Sequence, residues 1–189
     1  GRIKPGDTLI EPTSGNTVIA LAFAAAAKGY KLILCMPESM SIERRKMLAF
    51  LGAEMDLTPP GEGMKGAIAR AEALVAETPG AVMPQQFANP ANPEIHKRTT
   101  AEEIWADTGG KVDVFISGVG TGGTITGTGR YLKSVNPTIK IVLADPKGSV
   151  LWDYFVNDIP EEELVAKSWE VEGVGKDSIP GVLDTEYID

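Results

Sequence analysis

The stretch from Val112 to Gly129, VDVFISGVGTGGTITGTG, constrains the fold of this chain more than any other. Val112, Val114, Phe115 and Ile116 form an apolar, partly β-branched run, which predicts a buried strand. Gly118-Val119-Gly120-Thr121-Gly122-Gly123-Thr124 then predicts a tight loop, and residues 125–132 a helix. Strand, glycine-rich loop and helix together aim successive backbone N–H groups and a helix N-terminus at an anion, most often a phosphate. Six glycines lie between residues 118 and 129, and Thr121 and Thr124 add hydroxyl donors. That density favours a bound phosphate over a bare turn.

Two familiar phosphate motifs separate here. A nucleoside-triphosphate loop ends in Gly-Lys-Ser/Thr, and no lysine follows this one. Gly118, Gly120 and Gly123 fall on the dinucleotide spacing, with Asp145 as the acid downstream, but that match rests on little else. A nicotinamide dehydrogenase is therefore the last-ranked reading. The net charge of −8 argues against nucleic acid and anionic membranes as partners, and no apolar run is long enough to span a bilayer. Cys35 is the only cysteine and His96 the only histidine. Disulfides are excluded, a reducing, cytoplasmic setting is expected, and neither a His-rich metal site nor a Ser-His-Asp triad has its parts.

In chain order, residues 8–11 predict a strand, 12–17 a polar loop, 18–27 a tightly packed helix and 32–36 a buried strand. Ser41 caps a helix over 42–51, residues 53–57 read as strand, and 64–77 form an amphipathic helix with Ile68, Ala71, Leu74 and Val75 inward. Residues 81–83 are another strand candidate. The prolines of Asn89-Pro90-Ala91-Asn92-Pro93 exclude regular structure there and mark the crossing between two lobes, residues 1–89 and 90–189. Residues 94–108 then read as helix and 140–144 as strand. Beyond Ser149 the pattern degrades to an acidic surface loop with a short helix, and to loop with a short strand over 170–181. The alternation predicts an α/β fold: mostly parallel twisted sheets, helices on both faces, ligands at the carboxyl ends of strands.

Three motifs occur in one order: Thr13-Ser14-Gly15-Asn16-Thr17 after a strand, Gln85-Gln86-Phe87 before Asn89-Pro90-Ala91-Asn92-Pro93-Glu94, and Gly120-Thr121-Gly122-Gly123-Thr124. Together they resemble the cysteine synthase and cystathionine β-synthase family of pyridoxal-phosphate enzymes, with the tryptophan-synthase-β-like fold. The likeness covers essentially the whole chain. It implies pyridoxal 5'-phosphate as cofactor and β-replacement on an activated serine by a sulfur nucleophile, with an amino acid and a sulfur donor as partners and a homodimer as assembly. It also implies that Gly120, Thr121, Gly122, Gly123 and Thr124 hold the cofactor phosphate and that Asn16 bonds the cofactor's 3′ oxygen. Ser14, Gly15 and Thr17, with Thr13 and Gln86, would take the substrate carboxylate. On their own, the residues of the first loop read as an ordinary helix cap and Gln86 as a surface amide.

The family's Schiff-base lysine belongs to a segment upstream of residue 1, and its Gly-Gly-Ser-Ser-Gly-like segment lies beyond residue 189; neither occurs here, so no catalytic residue is assigned. The chain reads as the interior of such an enzyme. Val18 stands where the family usually has glycine, and Ser178 where an aromatic follows a Gly173-Val174-Gly175 loop that lines the family's active site. Residues 63–68 and 85–96 resemble cysteine synthases, while 144–149 and 170–180 resemble cystathionine β-synthases. The longer match makes cysteine synthase the leading expectation. A non-catalytic phosphate-binding pseudoenzyme is the alternative of another class.

Overall fold

The protein is described here by a computed structural model covering residues 3–13 and 15–189, and the chain divides into two compact units, residues 1–85 and 86–189. In the first unit, β1 (Thr8–Pro12), β2 (Lys31–Pro37) and β3 (Glu54–Thr58) form a parallel sheet in that order. Helices α1 (Asn16–Lys28), α2 (Ile42–Phe50) and α3 (Gly63–Glu77) connect or follow them. Alternate strand residues feed two cores. Leu9, Leu32, Leu34 and Met36 pack with Val18, Ala22, Ala25 and Leu48 of α1 and α2. Ile10, Ile33 and Cys35 pack with Ala67 and Ala71 of α3. A sheet buried on both faces needs apolar residues at consecutive positions, which is why Leu32-Ile33-Leu34-Cys35-Met36 is unbroken.

Several local expectations are met by specific contacts. Ser41 accepts a hydrogen bond from the Arg44 N–H at 3.3 Å, and Gly29 ends α1 with φ +72°. Cys35 is fully buried; burial pushes its thiol up to about 11, the Asp56 carboxylate adding and Arg70 opposing, so it is a poor nucleophile. Val18 is fully buried within the first core, so its β-branched side chain serves packing. Other expectations need correction. Ile68 is exposed, because Ala67 and Ala71 supply the buried stripe of α3. The strand expected at 81–83 is a single bridge, Val82 against Leu9 on the free edge of β1.

In the second unit, α4 (Ala91–Arg98) and α5 (Thr100–Asp107) precede β4 (Val114–Gly118), α6 (Gly123–Val135), β5 (Lys140–Ala144) and α7 (Leu151–Phe155). The proline-rich stretch is thus partly helical, contrary to expectation. Pro93 stands third in α4, where backbone N–H groups have no intrahelical acceptor and the proline removes nothing. The single helix expected over 94–108 breaks at Thr99, whose φ of −129° and ψ of −77° leave the helical region. β4 and β5 pair in parallel. Phe115, Ile141 and Leu143 join Val119, Ile125, Leu132, Ile139 and Leu151 in the core, but Val114 and Ile116 on the opposite side of β4 are exposed. The strand is therefore buried on one face among the described residues, not on both. No strand forms over 170–181; Gly173 and Gly175 have φ of +77° and +99°, which interrupts extended backbone. Among the described residues no helix is long and apolar enough to cross a membrane.

Candidate functional site

The glycine loop lies between β4 and α6, and its shape is set by close packing. Gly122 has φ +87°, and a Cβ there would meet Leu183 Cβ at 2.9 Å. A Cβ on Gly120 would lie 2.6 Å from the Gly173 carbonyl oxygen. The Gly175 N–H donates to the Val119 carbonyl at 2.9 Å, so the 173–175 segment forms the floor on which residues 118–120 rest. Two of the loop's glycines are thus demanded by the protein side as well as by any ligand.

The donors of this loop are disposed for an anion. Gly122, the N-cap of α6, has no side chain to cap it, and the first backbone bond of the helix runs from the Thr126 N–H to Gly122 O at 3.1 Å. Among the described residues, the N–H groups of Thr124 and Ile125 have no acceptor. Thr121 Oγ1 accepts from Asn92 Nδ2 at 2.9 Å and from the Gly123 N–H at 3.3 Å. With both acceptor positions of that oxygen engaged, the hydroxyl proton is left to donate elsewhere. Asn92 uses its second amide hydrogen on the Gln86 carbonyl at 2.8 Å. Gln86 is therefore tied to the loop through its backbone.

His96, on α4, lies beneath the loop with Nε2 3.2 Å from Thr124 Oγ1 and Nδ1 2.8 Å from Thr100 Oγ1. If Nε2 carries the proton it donates to Thr124, whose own proton can then serve an anion; the other tautomer consumes that proton. Burial holds the His96 pKa below its ordinary 6.5. The unfolded chain then takes up a proton that the folded one resists, so stability is full above pH 6.5 and declines as pH falls toward the depressed value. We expect the thermal midpoint to fall between pH 7 and pH 5 and His96→Gln to flatten that slope. An unchanged slope in the variant would assign the pH dependence to other groups.

In the first unit, Thr13 is buried at the end of β1, and Gly15, Asn16 and Thr17 open α1. Ser14 lies outside the described residues. Gly15 is the N-cap and has no side chain to cap the helix, so Asn16 stands inside the first turn and not at the cap position. Asp145, the acid of the dinucleotide spacing, accepts through Oδ2 from the Trp152 N–H at 3.1 Å, in the first turn of α7. Nothing in the sequence marks Asn92 or His96 as a site residue; Asn92 lies within the Asn89–Glu94 motif, but only the fold brings its amide to Thr121. No group of His, Cys, Asp and Glu among the described residues could hold a metal ion.

The family profile described as "Pyridoxal-phosphate dependent enzyme" matches residues 1–189. Cysteine synthase A of Salmonella typhi is 53% identical over 192 residues, covering 100% of this chain and 58% of that protein. Cysteine synthase of Staphylococcus aureus is 50% identical over 190 residues with the same coverage. Among solved structures, cysteine synthase from Entamoeba histolytica superposes with a TM-score of 0.90 at 39% identity, over 100% of this chain and 53% of that one. The chain thus spans a little under three-fifths of the length of these curated relatives.

Proposed function

The chain belongs to the family of pyridoxal-phosphate-dependent enzymes, and from that premise we propose that it is part of a cysteine synthase acting on O-acetylserine and sulfide. The observation that carries this reading is the loop at the head of α6. Its Thr124 and Ile125 N–H groups lack acceptors among the described residues, and Thr121 keeps a proton to donate. These donors fit a phosphate dianion, and the 173–175 floor under Gly120 gives the cradle a fixed shape. The cofactor, when bound, supplies the electron sink for carbanion chemistry at the substrate's α-carbon.

In this assignment Gly120, Thr121, Gly122, Gly123 and Thr124 hold the cofactor phosphate, and Asn16 bonds its 3′ oxygen. Thr13, Ser14, Gly15, Thr17 and Gln86 bind the substrate carboxylate. In the net reaction the Cβ–O bond of O-acetylserine breaks and acetate leaves. A Cβ–S bond forms to sulfide, and the proton lost from the α-carbon is returned to it. The two units are parts of the smaller N-terminal and larger C-terminal lobes. The small molecules are its working partners, the assembly is a homodimer and the setting cytoplasmic.

The test uses the full-length protein reconstituted with pyridoxal phosphate. A visible absorbance band that shifts on adding O-acetylserine, with cysteine formed once sulfide is present, is the expected outcome. A shift with serine in place of O-acetylserine would move the assignment to cystathionine β-synthase chemistry. Binding of pyridoxal phosphate with no shift for either amino acid would leave a phosphate-binding module without the reaction.

A further inference from the structure

Residues 167–176, in the second unit, contain no helix or strand, yet both ends of this segment are fastened to one turn, residues 146–150. At the first end the Lys167 N–H donates to the Gly148 carbonyl at 2.8 Å. At the second, the Lys176 N–H donates to Ser149 Oγ and the Val150 N–H to the Lys176 carbonyl, each at 2.9 Å. The segment is therefore a closed loop with its ends held together. Its approach to the turn is tight at both ends. A Cβ on Gly148 would lie 2.8 Å from the Ser168 carbonyl oxygen, and one on Gly175 2.8 Å from Pro146 Cγ. Of those three hydrogen bonds, the one at Ser149 alone uses a side chain, and that residue is 6% exposed. The residues just before Lys176 are the floor of the anion loop. The Gly175 N–H bonds the Val119 carbonyl, and a Cβ on Gly118 would come within 2.8 Å of Val174 Cγ1.

We propose that Ser149 is a positioning residue for the anion loop: its buried hydroxyl pins Lys176 and so closes the 167–176 loop, whose residues 173–175 hold the backbone of residues 118–120. The hydroxyl touches no ligand and acts through the backbone of residues 173–176. Without it the Lys176 N–H loses its acceptor, and that end of the loop hangs on the single bond from Val150. Gly175 then shifts against Val119, and the backbone donors of the anion loop are no longer held in one arrangement. This inference rests on the phosphate reading for its functional consequence, but not for its structural one. Ser149 Oγ also accepts from the Leu151 N–H at 3.5 Å, so loosening of α7 is the rival route for any effect of its removal.

The experiment compares full-length wild type, Ser149→Ala, Ser149→Cys and Asp145→Ala. Without cofactor, hydrogen–deuterium exchange in Ser149→Ala is expected to rise in peptides covering residues 171–177 and 119–126. With ligand, Ser149→Ala is expected to bind pyridoxal phosphate about fivefold more weakly and pyridoxal, which lacks the phosphate, with nearly unchanged affinity. Ser149→Cys, close in volume and with a weaker acceptor, should fall between wild type and alanine, and it carries the same test if Ser149→Ala does not fold. Asp145→Ala removes the carboxylate that bonds the Trp152 N–H, so it loosens α7 without touching Lys176. Its exchange should rise over residues 150–156 alone and its affinity for pyridoxal phosphate should stay near wild type. Exchange in the Ser149 variants that rises only over 150–156, an equal loss for both ligands, or an Asp145→Ala variant as weak as Ser149→Ala would overturn the proposal. If wild type fails to bind pyridoxal phosphate, the functional reading falls, while the spread of exchange from 171–177 to 119–126 still decides the positioning role.

Discussion

Gly127→Ala is expected to lower the thermal midpoint of the protein by about 6–12 °C, the effect of about 3 kcal/mol on a chain of this size. Gly127 is a buried residue of α6 facing α4. A Cβ there would overlap the Pro93 carbonyl oxygen and come within 2.8 Å of His96 Cβ and 2.9 Å of the Lys97 nitrogen. Two of those three atoms are backbone, which no rotamer change can move aside. The helices must separate, and α4 carries both Asn92 and His96, so the cradle loosens with the fold. Gly129→Ala is the internal control. Its Cβ would find its nearest neighbours, Ile141 Cγ2 and Tyr187 Cβ, at 3.5 Å, an ordinary contact. That variant should melt at or above the wild-type midpoint, since alanine favours helix over glycine by up to about 1 kcal/mol. Equal melting of the two variants, followed by circular dichroism, would refute a backbone-to-backbone contact between α4 and α6.

Asn92→Ala is expected to weaken pyridoxal phosphate binding by at least about tenfold while costing about 2 kcal/mol of stability, the net value of two hydrogen bonds. The Asn92 amide group spans the Gln86 carbonyl and Thr121 Oγ1 at 2.8 and 2.9 Å. Removing it strands the carbonyl and lets the Thr121 hydroxyl turn inward toward whatever acceptor remains. Comparing pyridoxal phosphate with pyridoxal, which lacks the phosphate, isolates the loop. If Asn92 acts as described, affinity falls for the phosphate ester and hardly changes for pyridoxal. A parallel loss for both ligands would show that the substitution disturbs the fold and not the anion site. Asn92→Asp should behave no better than alanine, because a carboxylate offers Thr121 and Gln86 no donor.

Much of the architecture follows from local pattern. Leu32-Ile33-Leu34-Cys35-Met36 is apolar at every position because both faces of that strand are covered, and the alternation of strands and helices around it predicts its parallel pairing. The cap at Ser41 and the stop at Gly29 are decided by side chains within a turn of the helix ends. The glycine loop and its helix are legible for the same reason, since φ at Gly122 and the donors of α6 are local properties. Burial in β4 is not legible in its sequence because alternate residues of a strand face opposite ways, and what covers each face is not written in the strand itself: Phe115 meets the core while Val114 and Ile116 are exposed.

By itself, then, the sequence determines β1 to α3, the strand, glycine-rich loop and helix of β4 and α6, and the family to which its three motifs belong, because each rests on residues adjacent in the chain. Tertiary structure alone decides that Pro93 stands in the first turn of a helix, that Asp145 bonds the first turn of α7, and that Asn92 and His96 meet Thr121 and Thr124. It likewise decides that Glu11 meets Gln85, 74 residues away. These depend on hydrogen bonds between residues brought together by helix and sheet packing, and the donor and acceptor roles of an amide, an imidazole or a carboxylate are settled only by the partner the fold puts opposite it.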